Sequence, residues 1–274
     1  MHADYSAMTT VIAISNQKGG VAKTTTSISL GAALVERGHT VLLVDLDPQA
    51  NLTLALGAEP AEMGRTIADV LMGNYSLLKV CQPTPVPGLD MVPANHYMRL
   101  VEKFLHTQPD YERALRRATE AAAGYDFVLC DCPPALSAIT LNAMTAADLM
   151  LIPTQCEYFS AYGLSEVLGL VNDISGRTNP GLRYRIVVTL FDRRNRIHAT
   201  ILGQIQEAFG ETLLETRVEV DTKLRECPVF ALPITEYAPH SRGAEQYRAL
   251  AEELRTRFPE LAIRAAEDLP EGLI

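Results

Sequence analysis

The sequence lacks long apolar runs, a secretory leader and a regular cysteine pattern. Its longest apolar runs, such as residues 41–44 and 149–152, are far too short to cross a bilayer. Residues 1–10 have neither a basic start nor an apolar centre, so we expect no secretory signal. The five cysteines follow neither disulfide-like nor zinc-like spacing. This usage is typical of a reducing compartment, and we therefore predict a cytoplasmic protein.

An excess of positive charge is also lacking. The 24 lysines and arginines are outnumbered by 33 aspartates and glutamates, which gives a formal net charge of −9. This balance argues against a surface covered with nucleic acid. It leaves room for a local basic patch, because binding follows the local field rather than the total charge. Hydrophobic residues make up 47% of the 274 positions, which is enough for a large core.

Short apolar runs rich in β-branched residues alternate with helical patterns. The predicted strands are residues 11–15, 41–45, 89–92, 127–131, 149–153 and 185–190. The predicted helices are residues 24–37, 111–123, 135–147, 162–174, 199–209 and 242–257. This alternation is typical of βαβ units, and continuous apolar strands indicate helices on both faces of a parallel sheet. We predict one α/β domain over residues 11–258, between a flexible N-terminus (1–10) and an acidic tail (259–274).

The segment that joins the first predicted strand to the first helix predicts a phosphate site. It reads Lys18-Gly19-Gly20-Val21-Ala22-Lys23-Thr24-Thr25. Backbone N–H groups of a small-residue loop and the N-terminus of the following helix supply donors and positive potential for phosphate. In such a loop Lys23 contacts the β- and γ-phosphates and the Thr24 hydroxyl ligates Mg²⁺.

The loop departs from the strict G-x-x-x-x-G-K-S/T pattern at both glycine positions, which hold Gln17 and Ala22. A plain Gly-Gly turn between a strand and a helix is therefore an alternative. Alanine at position 22 is harmless if its φ is negative and strained if its φ is positive. The sequence leaves that sign open.

Carboxylates follow two of the predicted strands. One strand runs into Asp45-Leu-Asp47, and another ends at Asp131. Ligands bind at the carboxyl edge of open α/β sheets, and an apolar strand that ends in aspartate is the Walker B arrangement for Mg²⁺. Because Asp45 and Asp47 are two residues apart, we expect one to face the site and the other to support it. A polar strand-end turn is the alternative. We expect Cys130 and Cys132 to be packing residues.

Together these segments resemble the ParA/MinD superfamily of P-loop ATPases, whose deviant Walker A loop has an extra lysine before the glycines. The resemblance is closest to the ParA/Soj group and extends from residue 11 into the last predicted helix, including residues 189–194, 223–228 and 233–244. It implies a P-loop NTPase fold and the cofactors ATP and Mg²⁺. It places nucleotide contacts at residues 18–25, Asp45 and Asp131, with Thr24 and Asp131 holding Mg²⁺ directly or through water.

The resemblance also implies catalytic roles. Lys23 holds the phosphates, and Lys18 reaches the phosphates of a partner subunit, as an arginine finger does. Asp47 orients the attacking water in the segment that acts as switch I. The implied working form is an ATP-dependent homodimer with slow, partner-stimulated hydrolysis. One departure is that the family often has proline and asparagine near the adenine, where this chain has Glu219 and Asp221.

A basic segment spans residues 183–196, where five arginines face the single acid Asp192. Composition alone favours an ordinary solvated face. In Soj-like proteins, however, this region and the one near residue 223 hold DNA without reading its sequence. The resemblance implies contacts from Arg194 and Lys223 first, and then from Arg193, Arg196 and Arg225. Contacts confined to phosphates make binding non-specific and steeply salt-dependent.

The resemblance implies a nucleoid-associated DNA-segregation ATPase that works with a ParB-like partner. Residues 261–274 lack the basic amphipathic helix that anchors MinD-like proteins, so we expect no membrane partner. One alternative is a ParA-like ATPase that positions another cargo on the nucleoid. Another is a nucleotide-switched regulatory binding protein in which turnover is incidental. A metabolic kinase or ligase is disfavoured because no substrate domain is evident.

Overall fold

A computed structural model describes residues 9–122, 124–158 and 160–257, and it places the strands of this part of the chain in one sheet. The eight strands are β1 (Thr10–Ile14), β2 (Val41–Asp45), β3 (Gln82–Pro83), β4 (Leu89–Val92), β5 (Phe127–Asp131), β6 (Leu149–Thr154), β7 (Arg183–Phe191) and β8 (Leu213–Glu219). They are arranged in the order β3-β4-β2-β5-β1-β6-β7-β8. All neighbours are parallel except the β3–β4 pair.

Helices connect and cover these strands. They are α1 (Lys23–Val35), α2 (Asn51–Ala55), α3 (Ile67–Leu71), α4 (Leu77–Val80), α5 (Met98–Phe104), α6 (Ala114–Glu120), α7 (Ala138–Ala146), α8 (Ser160–Arg177), α9 (Arg196–Phe209), α10 (Thr222–Phe230), α11 (Ile234–Tyr237) and α12 (Arg242–Arg257). Within the described ranges, no helix is long and apolar enough to span a membrane.

Side chains that alternate along the strands enter two separate cores. On β1, Val11 and Ala13 belong to one core, and Ile12 and Ile14 belong to the other. Helices α3 to α9 cover the first core, and α1, α2 and α10 to α12 cover the second. The predicted single α/β domain, with a mostly parallel sheet and helices on both faces, is therefore confirmed.

The strand order brings three strand ends together at the carboxyl edge. Strand β5 lies between β1 and β2, so that the register aligns Asp131 with Ile14 on one side and with Asp45 on the other. The loop after β1 thus begins beside the two carboxylates that end β2 and β5. Open α/β sheets bind ligands at such a point, where chain connections leave in opposite directions.

The differences from the predicted elements have local causes. Strand β8 was not predicted, because its sequence is rich in charged residues and its centre, around residues 215–217, is solvent-facing. The predicted helix 111–123 begins with a 3₁₀ turn at Tyr111–Arg113 and continues as α6. Residue 123, most of the predicted flexible N-terminus 1–10, and the predicted acidic tail 259–274 lie outside the described residues.

Candidate nucleotide-binding site

The loop between β1 and α1 is held in shape by its own polar groups. The Asn16 side chain accepts a hydrogen bond from the Lys18 N–H at 3.0 Å and donates one to the Pro153 carbonyl at 2.8 Å. The Gln155 side chain donates to the Gly20 carbonyl at 2.8 Å, and the Thr189 hydroxyl donates to the Val21 carbonyl at 3.0 Å. The loop is therefore fastened to the ends of β6 and β7.

Ala22 adopts the left-handed conformation, with φ 64° and ψ 34°. The question that the sequence left open is thereby answered, because alanine occupies a backbone conformation that favours glycine. Directly after it Lys23 opens α1, and the Thr26 N–H donates to the Ala22 carbonyl at 2.9 Å. The strained residue thus forms the junction between the loop and the helix N-terminus.

Lys23 lies inside the loop rather than in solvent. Its ammonium donates to the carbonyls of Asn16 and Lys18, each at 3.0 Å, and the residue is buried. Burial lowers the pKa of Lys23, while nearby Asp131 acts in the opposite direction. A cation held by main-chain oxygens at the centre of a loop is positioned for an anion that the loop surrounds.

Asp131, at the end of β5, accepts hydrogen bonds from two side chains of α1. The Thr24 hydroxyl donates to one carboxylate oxygen at 2.7 Å, and the Ser27 hydroxyl donates to the other at 3.1 Å. Burial, followed by the repulsion of Asp45, raises the pKa of Asp131 to about 8. The carboxyl group is thus fixed in place, and burial disfavours its charged form.

Asp45 and Asp47 divide their roles as the spacing predicts. Asp45 is fully buried and accepts from the Thr53 N–H at 2.9 Å, the Thr53 hydroxyl at 2.7 Å and the Asp47 N–H at 3.1 Å. Burial raises the pKa of Asp45 to about 6. One oxygen of Asp47 accepts from the Gln49 N–H at 2.8 Å, and the side chain lines the adjacent cleft.

A cleft of about 570 Å³ opens above the loop, within the usual size range of small-molecule sites. Seven of the predicted site residues line it: Gly19, Gly20, Ala22, Lys23, Thr24, Thr25 and Asp47. Gln49, Asn51 and Pro228 also line it. Val21, Asp45 and Asp131 are buried and do not line it. The predicted nucleotide residues therefore converge, while their contacts with a nucleotide remain predictions.

Lys18 differs from the rest of the loop because its side chain is exposed. Its ammonium forms an ion pair with the Glu157 carboxylate at 2.5 Å, just beyond the end of β6. Solvent reaches about half of each side chain, and an exposed pair of this kind is readily exchanged for another partner. In the single chain the loop's two lysines therefore have different surroundings, one enclosed and one at the rim.

The oxygen ligands around Asp131 fit a magnesium ion. Mg²⁺ prefers hard oxygen ligands and is usually held by one or two protein groups together with phosphates. The Thr24 hydroxyl and the Asp131 carboxylate supply that chemistry beside the loop. A divalent cation there would offset the buried charge of Asp131. Cys130 and Cys132 belong instead to a hydrophobic core, where burial raises the pKa of Cys130 to about 12.

Three supporting residues were not singled out from the sequence. The Ser27 and Thr24 hydroxyls both donate to the Asp131 carboxylate. The i, i+3 spacing of these two residues on α1 is the signal that could have identified Ser27. Thr53 binds Asp45 from the helix that follows, and Asn16 organises the loop. Neither has a spacing signal, because both contacts depend on how the chain turns after the strand.

The two residues that the resemblance places near the adenine, Glu219 and Asp221, have structural roles in this chain. Glu219 is buried and pairs with Arg193 at 2.5 Å and Arg242 at 3.0 Å. Asp221 caps α10 by accepting from the Lys223 N–H at 2.9 Å, and it also accepts from the Gly243 N–H at 2.9 Å. Both carboxylates therefore connect the end of β8 to α12.

The predicted DNA contacts lie after β7 and β8, at the same edge of the sheet as the cleft. All five residues are exposed: Arg193, Arg194, Arg196, Lys223 and Arg225. Arg194 pairs with Asp192 at 3.1 Å, and Lys223 pairs with Glu226 at 2.8 Å. Within the described ranges no ion pair involves Arg196 or Arg225. The two segments adjoin, because β7 and β8 are neighbours.

Comparison with known proteins supports a single family. A family model described as an AAA domain matches residues 9–184. The sporulation initiation inhibitor protein Soj of Bacillus subtilis is 39% identical over 246 residues, which cover 89% of this chain and 97% of that protein. The chromosome partitioning protein ParA of Caulobacter vibrioides is 38% identical over 260 residues, which cover 93% and 97%.

A solved structure agrees with these relatives. Cobyrinic acid a,c-diamide synthase from Mycobacterium smegmatis, with bound ADP and magnesium, superposes with a TM-score of 0.81 at 34% identity, covering 92% of this chain and 97% of that one. The long matches at high coverage extend the resemblance seen in the phosphate loop to nearly the whole chain. The chain therefore belongs to the ParA/Soj family within the ParA/MinD superfamily of P-loop ATPases.

Proposed function

We propose that this chain binds ATP and Mg²⁺, dimerises in the ATP state, holds non-specific double-stranded DNA and drives chromosome or plasmid segregation with a ParB-like partner. Lys23, Thr24 and Asp47 line one cleft, and Asp131 is hydrogen-bonded to Thr24 behind it. This arrangement is the observation that carries the proposal. Similarity over most of the chain to the chromosome partitioning protein ParA, and to Soj, supports the cellular role. The protein would work in the cytoplasm, associated with the nucleoid.

The cleft residues support hydrolysis at the γ-phosphate. Lys23 would offset charge on the β- and γ-phosphates, while backbone N–H groups of the loop bind their oxygens. Mg²⁺ held by Thr24 and Asp131 would supply further neutralisation of the phosphates. Asp47 lines the cleft and one of its carboxylate oxygens accepts from the Gln49 N–H, so the other oxygen could orient a water molecule. These groups position the reactants, which is most of what phosphoryl transfer requires.

Dimerisation would complete the site through Lys18. Its exposed ammonium is bound to Glu157, a contact that a partner's phosphate can replace. A cation supplied in trans stabilises charge on the transferring group only when two subunits meet. Hydrolysis by the monomer is therefore expected to be slow, and a protein that favours the closed dimer would stimulate it.

The position of the basic segments supports nucleotide control of DNA binding. They lie at the sheet edge that carries the nucleotide cleft, so a dimer formed across that edge would present both copies on one surface. Doubling the phosphate contacts strengthens binding and steepens its salt dependence. ATP would close the dimer, the dimer would hold DNA, and hydrolysis would release it.

Co-sedimentation with non-specific duplex DNA tests the proposal. The protein is compared with ATP, ADP and no nucleotide at two salt concentrations. We expect strong binding with ATP alone, and a marked loss at the higher salt. Equal DNA affinity in the three nucleotide states would refute the nucleotide switch. Absence of DNA binding in all three states would refute the partition role but not the proposed ATPase activity.

Two other functions remain as alternatives to segregation. A ParA-like ATPase that positions another cargo would give the same DNA result, and a neighbouring parB-like gene would argue for segregation instead. In a nucleotide-switched regulatory protein, turnover would be incidental. A variant that binds ATP without hydrolysing it distinguishes this last case, because the cellular phenotype would then be unchanged.

A further inference from the structure

An apolar groove lies between α3 and α5, away from the nucleotide cleft. Its volume is about 320 Å³, which is within the usual range for a binding site. The apolar residues that line it are Ala68, Met72, Tyr97, Leu100, Val101 and Phe104. None of them lines the cleft above the phosphate loop. The groove is thus a separate surface that the nucleotide chemistry does not explain.

Helix α5 exposes an apolar strip in addition to the one it buries. Met98, Val101 and Leu105 are buried in a core. Tyr97, Leu100 and Phe104 are 53%, 49% and 54% exposed. Their i, i+3, i+7 spacing places these three side chains on one face of the helix. A continuous exposed apolar strip beside a groove is typical of a surface that binds another protein.

Helix α5 carries a basic strip beside the groove, whereas among the described residues the one charged side chain in the groove lining, Asp69, is acidic. Arg99 and Lys103 are exposed and one helical turn apart, so they form a basic strip along α5. Arg65, just before α3, stacks its guanidinium on Tyr75, 4.5 Å from the ring centre. The carboxylate of Asp69, which lines the groove, accepts from the Thr66 N–H at 2.9 Å and so caps α3. Asp69 is thus engaged within α3, and the exposed charges of α5 beside the apolar strip are those of Arg99 and Lys103.

We propose that the groove between α3 and α5 docks an amphipathic helix of a partner protein, with an apolar face flanked by aspartate and glutamate. Apolar residues at i, i+3, i+4 and i+7 of the incoming helix would cover Tyr97, Leu100 and Phe104, as in helix-in-groove recognition. Its acidic flank would face Arg99 and Lys103. The contact is independent of the proposed nucleotide and DNA functions.

Two synthetic peptides test this docking. Both are about 18 residues long, which is enough to form a helix in isolation. They carry leucines at the same i, i+3, i+4 and i+7 positions and differ only in having glutamate or lysine on the flanks. Fluorescence anisotropy with the full chain should show that the glutamate peptide binds about tenfold more tightly than the lysine peptide, because charge complementarity sets the preference.

Variants of the full chain identify the surface. Leu100→Ser with Phe104→Ser should weaken the glutamate peptide at least about tenfold, since exposed apolar anchors dominate such contacts. Ile197→Ser is the matched control, because Ile197 is 55% exposed and lies on α9 instead. Arg99→Glu with Lys103→Glu should reverse the preference towards the lysine peptide. These side chains are exposed, so folding should survive the changes.

Four outcomes would overturn the proposal. Equal binding of the two peptides would show that the partner need not be acidic. Unchanged binding by the Leu100→Ser, Phe104→Ser variant would show that the peptide does not bind in the groove. Competition by a peptide of residues 258–274, with an affinity equal to that of the glutamate peptide, would assign the groove to the chain's own tail. Self-association in sedimentation that this double variant abolishes would assign it to a second copy.

Discussion

The nucleotide cleft and the basic segments after β7 and β8 share one sheet edge but are built in opposite ways. In the cleft, Lys23 and Asp131 are buried, and each makes two hydrogen bonds within the chain. In the basic segments, Arg194 and Lys223 are exposed and pair with neighbouring acids. Function in the cleft therefore depends on single atoms in fixed positions, whereas the basic segments act through summed charge. Substitutions in the two regions should differ accordingly.

The largest effect is expected from Lys23→Ala. Charge-assisted hydrogen bonds to the phosphates would be lost, and the carbonyls of Asn16 and Lys18 would lose their donor. ATP affinity, measured by isothermal titration calorimetry, should fall by about 100-fold or more. Lys18→Ala is the matched control, because it removes the exposed lysine of the same loop. It should leave ATP binding measurable and abolish the ATP-dependent dimer in sedimentation.

Either variant can contradict the role given to its lysine. Normal ATP affinity in the Lys23→Ala protein would show that the loop does not bind phosphate through this lysine. A normal ATP-bound dimer in the Lys18→Ala protein would show that Lys18 is not needed at the partner subunit's phosphates. Thermal unfolding without nucleotide separates these results from a loss of the fold.

Asp47→Ala should separate binding from turnover. If Asp47 orients the attacking water as proposed, its removal should lower the ATPase rate about 10²- to 10⁴-fold while ATP and DNA remain bound. Asp47→Asn is the more conservative variant, because its amide oxygen can still accept from the Gln49 N–H. Both variants should be slow in a phosphate-release assay. If both variants hydrolyse ATP at a rate close to that of the unmodified protein, another residue must orient the attacking water.

Charge reversal in the basic segments should have a smaller and graded effect. Arg196→Glu or Arg225→Glu should lower the slope of log affinity against log salt by about 0.9 for each lost phosphate contact. Arg194→Glu and Lys223→Glu should act in the same direction. Arg116→Glu on α6 makes the same charge change at an exposed site elsewhere. An unchanged salt slope in the first four variants, or an equal change in the Arg116→Glu control, would show that DNA does not bind at these two segments.

The same contrast explains what could be predicted from the sequence. The strands around the cleft were predicted within one or two residues, because each is a short apolar run that the sheet buries on both faces. The cleft residues follow from those strands, since parallel strand ends meet at one edge. Strand β8 was missed because residues at its centre face solvent. Thr53 and Asn16 were missed because their contacts depend on how the chain turns after β2 and β1, which leaves no periodic signal.

The sign of φ at Ala22 could not be predicted either, and it gives the smallest and most specific test. A left-handed alanine costs about 1 to 2 kcal/mol, and glycine removes this strain. Glycine also loses more conformational entropy on folding, which offsets part of the gain. Ala22→Gly should therefore raise the free energy of unfolding by about 0.5 to 1 kcal/mol in urea titrations without nucleotide. Ala199→Gly, at an exposed position inside α9, should lower it by about 1 kcal/mol. The same substitution would thus act with opposite signs at the two sites. Destabilisation at both would show that residue 22 is not left-handed in solution, and that the loop takes another shape before nucleotide binds.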